Sequence, residues 1–489
     1  MKMFLEPLSS PVEAFWECGI GGKSAWLTGP IRPTNSLLKA AMRIFDITRL
    51  CNRANFSCPS GIDRVDLAYL KWLRGIGRVE YLVNGVAGFS VIDDRLGDAF
   101  ADKLDAIWSG GQGGFTPKQL LPFRDTAQRL RMAGKWQARR RGLAEIHAAK
   151  CLQDLCGDGV AGLDLLDASA AEGAYRIDSR WRGDHRDGCF FGISHSMLGR
   201  TAYLAALARQ ANLKRVLFIH DTIPCDFPEY CREHEGAKHL LRLRNAFRYG
   251  THLVVNSEYT ARQLEIWRKT LGAPELPVAV IPIGVDPGVL EHAGYDAPAF
   301  PPKRPYFVML GTIEPRKNHA LLIHLWRDFA ETLPADQVPE LVLIGRRGWD
   351  NETVFRMLDR CEPLRGHVRE MNRVLDDELW PLLRGARAML FPSFVEGWGM
   401  PMVEALTMGV PVIGSDIPPF QEAGQGIPTL LSPLDGNGWR ETILDFSRDH
   451  SPARMAQEQR LGNYRPPTWD QHFAKVAALV GDRALDGRD

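Results

Sequence analysis

Residues 387–416 read RAMLFPSFVEGWGMPMVEALTMGVPVIGSD. Two apolar runs, RAMLFPSF and PVIGSD, have the composition of buried strands. The segment between them, EGWGMPMVEALTMG, carries two glutamates eight positions apart and reads as a polar ligand site, not as core. Gly397 and Gly399 leave the backbone bare for a ligand to approach. Pro401 has the fixed φ that suits a first helical turn, and the helix should run to Gly409. Its start would aim the amides of Met400–Val403 at the strand ends, an anion site made by geometry. Glu396 then sits on the loop and Glu404 one turn inside the helix. Carboxylates only accept hydrogen bonds, so the pair suits a polyhydroxylated ligand whose phosphate lies on the amides.

The same alternation extends on both sides. From about residue 42, MRIFDITRL reads as a strand, GIDRVDLAYLKWLRGIG as a helix and VEYLVNG as a strand. CFFGIS, KRVLFIHD, THLVVNSE and VAVIPIGVD follow, separated by stretches such as TAYLAALARQAN and YTARQLEIWRKTLG. DAPAFPPKRP, residues 296–305 with four prolines, reads as a linker. Beyond it come YFVMLGT, PELVLIGRRG and HVREMN, with helices NHALLIHLWRDFAETL, NETVFRMLDRC and DDELWPLLRGA. The fold class is α/β, with two doubly wound, Rossmann-like parallel sheets facing a cleft. The expected bounds are 1–295 for the first domain, 304–468 for the second and 469–489 for a last helix. Residues 1–40 read as an extension and 100–180 as an insertion.

A chain of 489 residues is long enough for two or three domains. An apolar fraction of 45% and a charged fraction of 24% are those of a globular protein. A net charge of +1 gives no overall field to gather nucleic acid. The nine cysteines form no C-x-x-C pair and read as cytosolic thiols. No run approaches the ~18 apolar residues of a spanning helix. The basic stretch 124–150, with eight Lys or Arg against two acids, suits either a solvated helix face or an anionic membrane surface. GIGGKS (19–24) ends like a P-loop but has Glu17 where the first glycine belongs, so it is set aside.

EGWGMPMVEA resembles the donor-site motif of retaining GT-B glycosyltransferases, specifically glycosyltransferase family 4. GTIEPRKN (311–318) fits the same family. Gly311 ends a strand, Asn318 is placed to cap the next helix, and Arg316 and Lys317 stand at the strand's carboxyl edge. The resemblance places Lys317 on the donor diphosphate with Arg316 beside it, Glu404 on the ribose and Glu396 on a sugar hydroxyl. In FIHDTIP, His220 corresponds to a histidine that contacts the transferred sugar, with Asp221 next to it and His195 a weaker candidate of the same kind. Ser60 and Gly61 resemble the glycine loop beneath the diphosphate, although Ser60 equally reads as an ordinary N-cap; Arg64 could reach the same cleft. Gly345, Arg373 and Val374 lie on loops expected near the base.

The family resemblance implies transfer from a nucleotide-diphosphate sugar to a saccharide or lipid-linked saccharide with retention of configuration. It also implies no metal or other cofactor, a last helix (469–489) that packs back across the domain junction, and a role in surface polysaccharide assembly. The scattered cysteines and the basic stretch point to a cytoplasmic or peripheral-membrane location. GTIEPRKN points weakly to GDP-mannose over a UDP-sugar. The rival readings are a sugar-nucleotide 2-epimerase and a non-catalytic nucleotide-sugar-binding scaffold. Glu396→Gln is expected to abolish transfer in a protein that stays folded.

Overall fold

The computed structural model describes residues 42–54, 56, 59–85, 88–109, 176–178, 181, 188–210, 212–286, 289, 304–372 and 374–481. Residues 1–40, the basic stretch 124–150, most of 100–180, linker residues 296–303 and Arg373 lie outside these.

The first sheet takes β1 (Arg43–Asp46), β2 (Val79–Asn84), β3 (Gly88–Ile92), β4 (Arg176–Ile177), β5 (Cys189–Gly192), β6 (Lys214–Ile219), β7 (His252–Val255) and β8 (Val278–Val280). Their spatial order is β4-β3-β2-β1-β5-β6-β7-β8. The second takes β9 (Tyr306–Leu310), β10 (Glu340–Ile344), β11 (Val368–Met371), β12 (Ala388–Phe391), β13 (Val412–Ser415) and β14 (Thr429–Leu431), in the order β11-β10-β9-β12-β13-β14. The central strands CFFG, HLVV, ELVLI and AMLF are buried at every position. A strand covered on both faces needs a continuous apolar run, and this is why these segments were legible.

Helices that matter below are α1 (Thr48–Arg53), α2 (Gly61–Ile76), α3 (Glu235–Tyr249), α4 (Glu258–Thr270), α5 (His319–Thr332), α6 (Asp376–Arg384), α7 (Met400–Thr407), α8 (Pro418–Gly424) and α9 (Trp469–Gly481). Helix α9 follows the second sheet in sequence but packs on elements of the first. Phe473 stacks on Trp72 with centroids 4.5 Å apart, and His472 bridges the Pro282 carbonyl and the Tyr69 hydroxyl, each at 2.8 Å.

Two expectations are corrected. The strand in MRIFDITRL stops at Asp46, whose Oδ1 accepts the Thr48 amide at 2.8 Å and turns the chain into α1. The first sheet is not wholly parallel, because β3 returns antiparallel to β2 with Tyr81 opposite Ile92. Within the segment 100–180, Phe100, Leu104 and Trp108 are on the buried face of a helix over Asp94–Trp108.

In each sheet the strand order reverses at one crevice, between β1 and β5 in the first and between β9 and β12 in the second. Such switch points open a crevice at the carboxyl ends of the strands. The loops after β9 and β12 carry Lys317 and Glu396. The segments that follow β1, β5 and β6 carry Arg49, on α1, His195, at the start of a short helix, and His220.

Candidate active site

The second-domain half is built on an ion cluster. Lys317 Nζ donates to Glu396 Oε1 at 2.5 Å, and Arg316 Nη1 lies 2.6 Å from Glu396 Oε2. Arg316 Nε pairs with Glu314 at 2.6 Å, and Ser393 Oγ donates to Glu396 at 2.9 Å. Burial alone would raise the Glu396 carboxyl; Arg316 and Lys317 outweigh it and hold the group at about 2. Burial works against Lys317 and lowers it, with Glu396 opposing. The cations expected to await a diphosphate are therefore already engaged. Each still has donors to share, since an ammonium has three and a guanidinium five.

The glycines do a different job from the one expected. A Cβ on Gly397 would fall 2.4 Å from the His220 carbonyl oxygen, and one on Gly399, at φ +109°, 2.8 Å from the Phe420 ring. Where a Cβ would stand, both admit protein neighbours. Gly345 likewise admits the Gly311 carbonyl, 1.9 Å from where its Cβ would stand, and Val374 packs on the core. The expected row of amides shrinks too. Pro401 has no N–H, and the Met402 and Val403 amides both donate to the Gly399 carbonyl, leaving Met400. Asn318 stands at the N-cap of α5, but its side chain donates to the Pro433 carbonyl instead of capping.

The first-domain half centres on His220 and Asp221. His220 Nε2 lies 2.8 Å from the Ile193 carbonyl, so that nitrogen carries the proton and Nδ1 is left as an acceptor. Burial holds His220 at about 3, so it is neutral. Burial raises Asp221, with Arg316 of the other domain pulling the other way. His195, Asp221 and His239 bring ligand atoms within 4.8 Å of one another, the spacing of a metal cluster. Their hydrogen bonds assign them otherwise. His195 Nε2 accepts the His220 amide at 2.8 Å, which puts its proton on Nδ1 and leaves neither nitrogen free. His239 Nε2 donates to the Asp221 carbonyl at 3.0 Å, and Arg242 lies 3.5 Å from Nδ1, a cation where a metal would need to approach. The two histidines hold the His220–Asp221 backbone.

The two halves meet. Asp221 lies under the charge of Arg316 and Glu396, and a Cβ on Gly61 would come 3.2 Å from Met400 Sδ. Tyr230 stacks on Phe394 across the seam at 5.1 Å. Arg64, on the first turn of α2, binds Asp376 of α6 at 2.7 and 3.0 Å and Asp286 at 3.1 Å. Ser60 is the N-cap of α2, in a capping box with Asp63, so its ordinary reading holds.

Glu404 is buried, and no side-chain hydrogen bond engages it among the described residues. Burial pushes its carboxyl up to about 8, with Arg64 pulling it down and Asp286 and Asp376 pushing it further up. The folded protein thus keeps this proton up to about pH 8, whereas an ordinary glutamate releases it at 4.5. Its contribution to stability is present below that lower value and lost as pH rises toward the upper one, at up to ~1.4 kcal/mol per pH unit. Glu404→Gln removes the ionisation. Its thermal midpoint should exceed that of the wild type by ~3 °C or more at pH 8.5 and converge with it near pH 5. A gap independent of pH would show that Glu404 does not titrate in this way.

Sequence reasoning missed several groups. Arg49 follows β1 directly and donates to Asp63 at 2.7 Å and to Ser60 Oγ at 3.2 Å. Its signal was present, a cation just past the first strand. Asp376, Asn256 and Ser257 are ordinary polar residues with partners remote in sequence, and no local pattern marks them; Glu314 pairs with Arg316 two positions on.

Residues 296–425 match the family described as "Glycosyl transferases group 1". The match covers the β9–β13 region and the ion cluster. The chain is similar to the Escherichia coli "O-antigen chain mannosyltransferase B", at 30% identity over 34% of this chain and 42% of that protein. It is similar to the E. coli "Serotype-specific mannosyltransferase WbdA", at 25% identity over 66% of this chain and 41% of that protein. It thus spans about two fifths of the length of these relatives. Among solved structures, it resembles Anabaena Alr3699/HepE in complex with UDP at 14% identity, over 90% of this chain and 98% of that one, with a TM-score of 0.49. The fold assignment rests on the chain's own two sheets. Among the described residues no helix is long and apolar enough to cross a membrane.

Proposed function

We propose that this protein is a glycosyltransferase that moves a hexose from a nucleotide-diphosphate sugar to a saccharide acceptor, with retention of configuration. One observation carries the reading. The Lys317–Glu396–Arg316 cluster at the switch point of one sheet lies against His220–Asp221 at the carboxyl end of the other. A substrate held there is gripped by both domains and shielded from water, as group transfer without hydrolysis requires.

In this reading Lys317 and Arg316 share their spare donors with the diphosphate and stabilise the charge that grows on it as the glycosidic bond breaks. Glu404 takes the ribose diol, which supplies the hydrogen bonds its carboxyl group otherwise lacks. Glu396 accepts from a sugar hydroxyl while holding the two cations in place. His220 Nδ1, fixed as an acceptor, takes a second hydroxyl of the same sugar. The departing phosphate takes the acceptor's proton on the same face, which preserves the anomeric configuration. The printed names of the relatives support mannose as the sugar and GDP-mannose as the donor, with a saccharide of the cell-surface polysaccharide class as acceptor.

The test is a panel of GDP-, UDP- and ADP-sugars scored by thermal shift and then by transfer to oligosaccharides. GDP-mannose should raise the thermal midpoint and support transfer with the α-anomer in the product. Stabilisation by no nucleotide sugar would defeat the proposal, and stabilisation by another sugar would overturn the donor assignment.

A further inference from the structure

Glu396 and His220 belong to different domains, yet transfer needs both on one sugar. Their neighbours are joined by a chain of hydrogen bonds. Ser257 Oγ, at the N-cap of α4 in the first domain, donates to the carbonyl of Gly397 in the second at 2.8 Å. Ser257 Oγ in turn accepts the Thr260 amide at 3.0 Å. Thr260 Oγ1 donates to Asn256 Oδ1 at 3.1 Å, and Asn256 Nδ2 donates to the His220 carbonyl at 2.8 Å. The loop closes through space, because that carbonyl oxygen lies against the Cα of Gly397. Ser257, Thr260, Asn256, His220 and Gly397 are all buried.

Nothing in the fold of either domain alone requires this chain. Asn256 and Ser257 lie just beyond β7, outside the crevice between β1 and β5, and neither touches Glu396. A carbonyl adjacent to Glu396 nevertheless spends a buried hydrogen bond on the opposite domain. Glu422 of α8 adds a second tie to the same helix end, accepting the Glu258 amide at 2.9 Å. The N-terminus of α4 is therefore held by the second domain at two points.

We infer that Ser257, Thr260 and Asn256 are positioning residues that set the separation of Glu396 from His220 when the domains close. The inference rests on the proposed transfer reaction. The donor loop reaches its working place only when Gly397 meets Ser257, and the same contact fixes the peptide that carries His220. Binding of the nucleotide, which uses the second domain, is independent of the chain; transfer is not.

The test compares Ser257→Ala, Asn256→Ala and the conservative Ser257→Thr, using the full-length protein with GDP-mannose and GDP as probes. Ser257→Ala and Asn256→Ala should lower kcat about 10- to 100-fold with the GDP dissociation constant within about 2-fold of wild type. Ser257→Thr, which keeps both the cap and the donor hydroxyl, should restore kcat to within about 3-fold. A pair of fluorescent labels, one on each domain, should report a longer mean distance in the Ala variants than in the wild type. An unchanged distance overturns the inference whatever the reaction proves to be, and so does wild-type kcat in the Ala variants. A longer distance in a protein that transfers no sugar leaves the registration standing and removes the transferase reading instead.

Discussion

Glu396→Gln should lose transfer and also lose stability, by about 3–5 kcal/mol. The sequence alone led us to expect lost transfer in a protein that stays folded; the paired cations add the loss of stability. Glu396 neutralises two buried cations, Lys317 at 2.5 Å and Arg316 at 2.6 Å. Glutamine keeps the shape and one acceptor but removes the charge. Arg316 retains Glu314, so its loss is partial. Among the described residues Lys317 has no second carboxylate at ion-pairing distance, and it is left charged in a buried site, its Nζ 4.6 Å from the centre of the Phe391 ring. The depressed carboxyl gives the same sign. Its stabilising contribution is present above the ordinary value of 4.5 and lost as pH falls through about 2. Denaturant midpoints at pH 7 check the prediction. The double variant Glu396→Gln with Lys317→Met removes both charges, so stability should recover while transfer stays absent. A single variant as stable as the wild type would mean that the cluster contributes nothing to folding. Undiminished transfer would remove Glu396 from the site.

Legibility followed the range of the interactions involved. The strands with apolar runs, and the alternation that makes two sheets, could be read because burial on both faces fixes composition locally. Glu396, Lys317, Arg316 and His220 could be placed because each lies just past a strand end at or beside a switch point, where sequence order maps onto space. What each does there could not. Lys317 is paired by Glu396, some 80 positions away, and Arg316 by Glu396 together with Glu314, whereas the reading assumed both cations free. Gly397 and Gly399 were recognised as bare backbone, but whether a ligand or a protein atom fills the space is decided by His220 and Phe420. The antiparallel β3 was missed because GFSVI is short and its partner sets its direction. Arg64 was placed near the cleft, but not its acids: Asp286 and Asp376 lie over 200 and over 300 residues away.

Gly397→Ala should abolish transfer, by about 100-fold or more, while leaving nucleotide binding nearly intact. The backbone of Gly397 has no positive φ, so alanine is tolerated by its own domain. The obstacle lies across the seam. A methyl there would stand 2.4 Å from the His220 carbonyl oxygen and 3.1 Å from Asp221 Cβ. The first is a backbone atom pinned by Asn256, so it cannot swing away as a long side chain would. The domains must part by about 1 Å to reach ordinary contact, and a displacement of that size at a reacting centre costs on the order of 100-fold in rate. The groups proposed to hold the nucleotide, Lys317, Arg316 and Glu404, all belong to the second domain and do not move with the first. The expected result is a GDP dissociation constant within a few-fold of wild type, a kcat at or below one hundredth of it, and a thermal midpoint little changed. Serine at the same position should behave as alanine does, because its Cβ meets the same carbonyl. Wild-type turnover by either variant would show that the contact between Gly397 and His220 is not part of the state in which sugar is transferred.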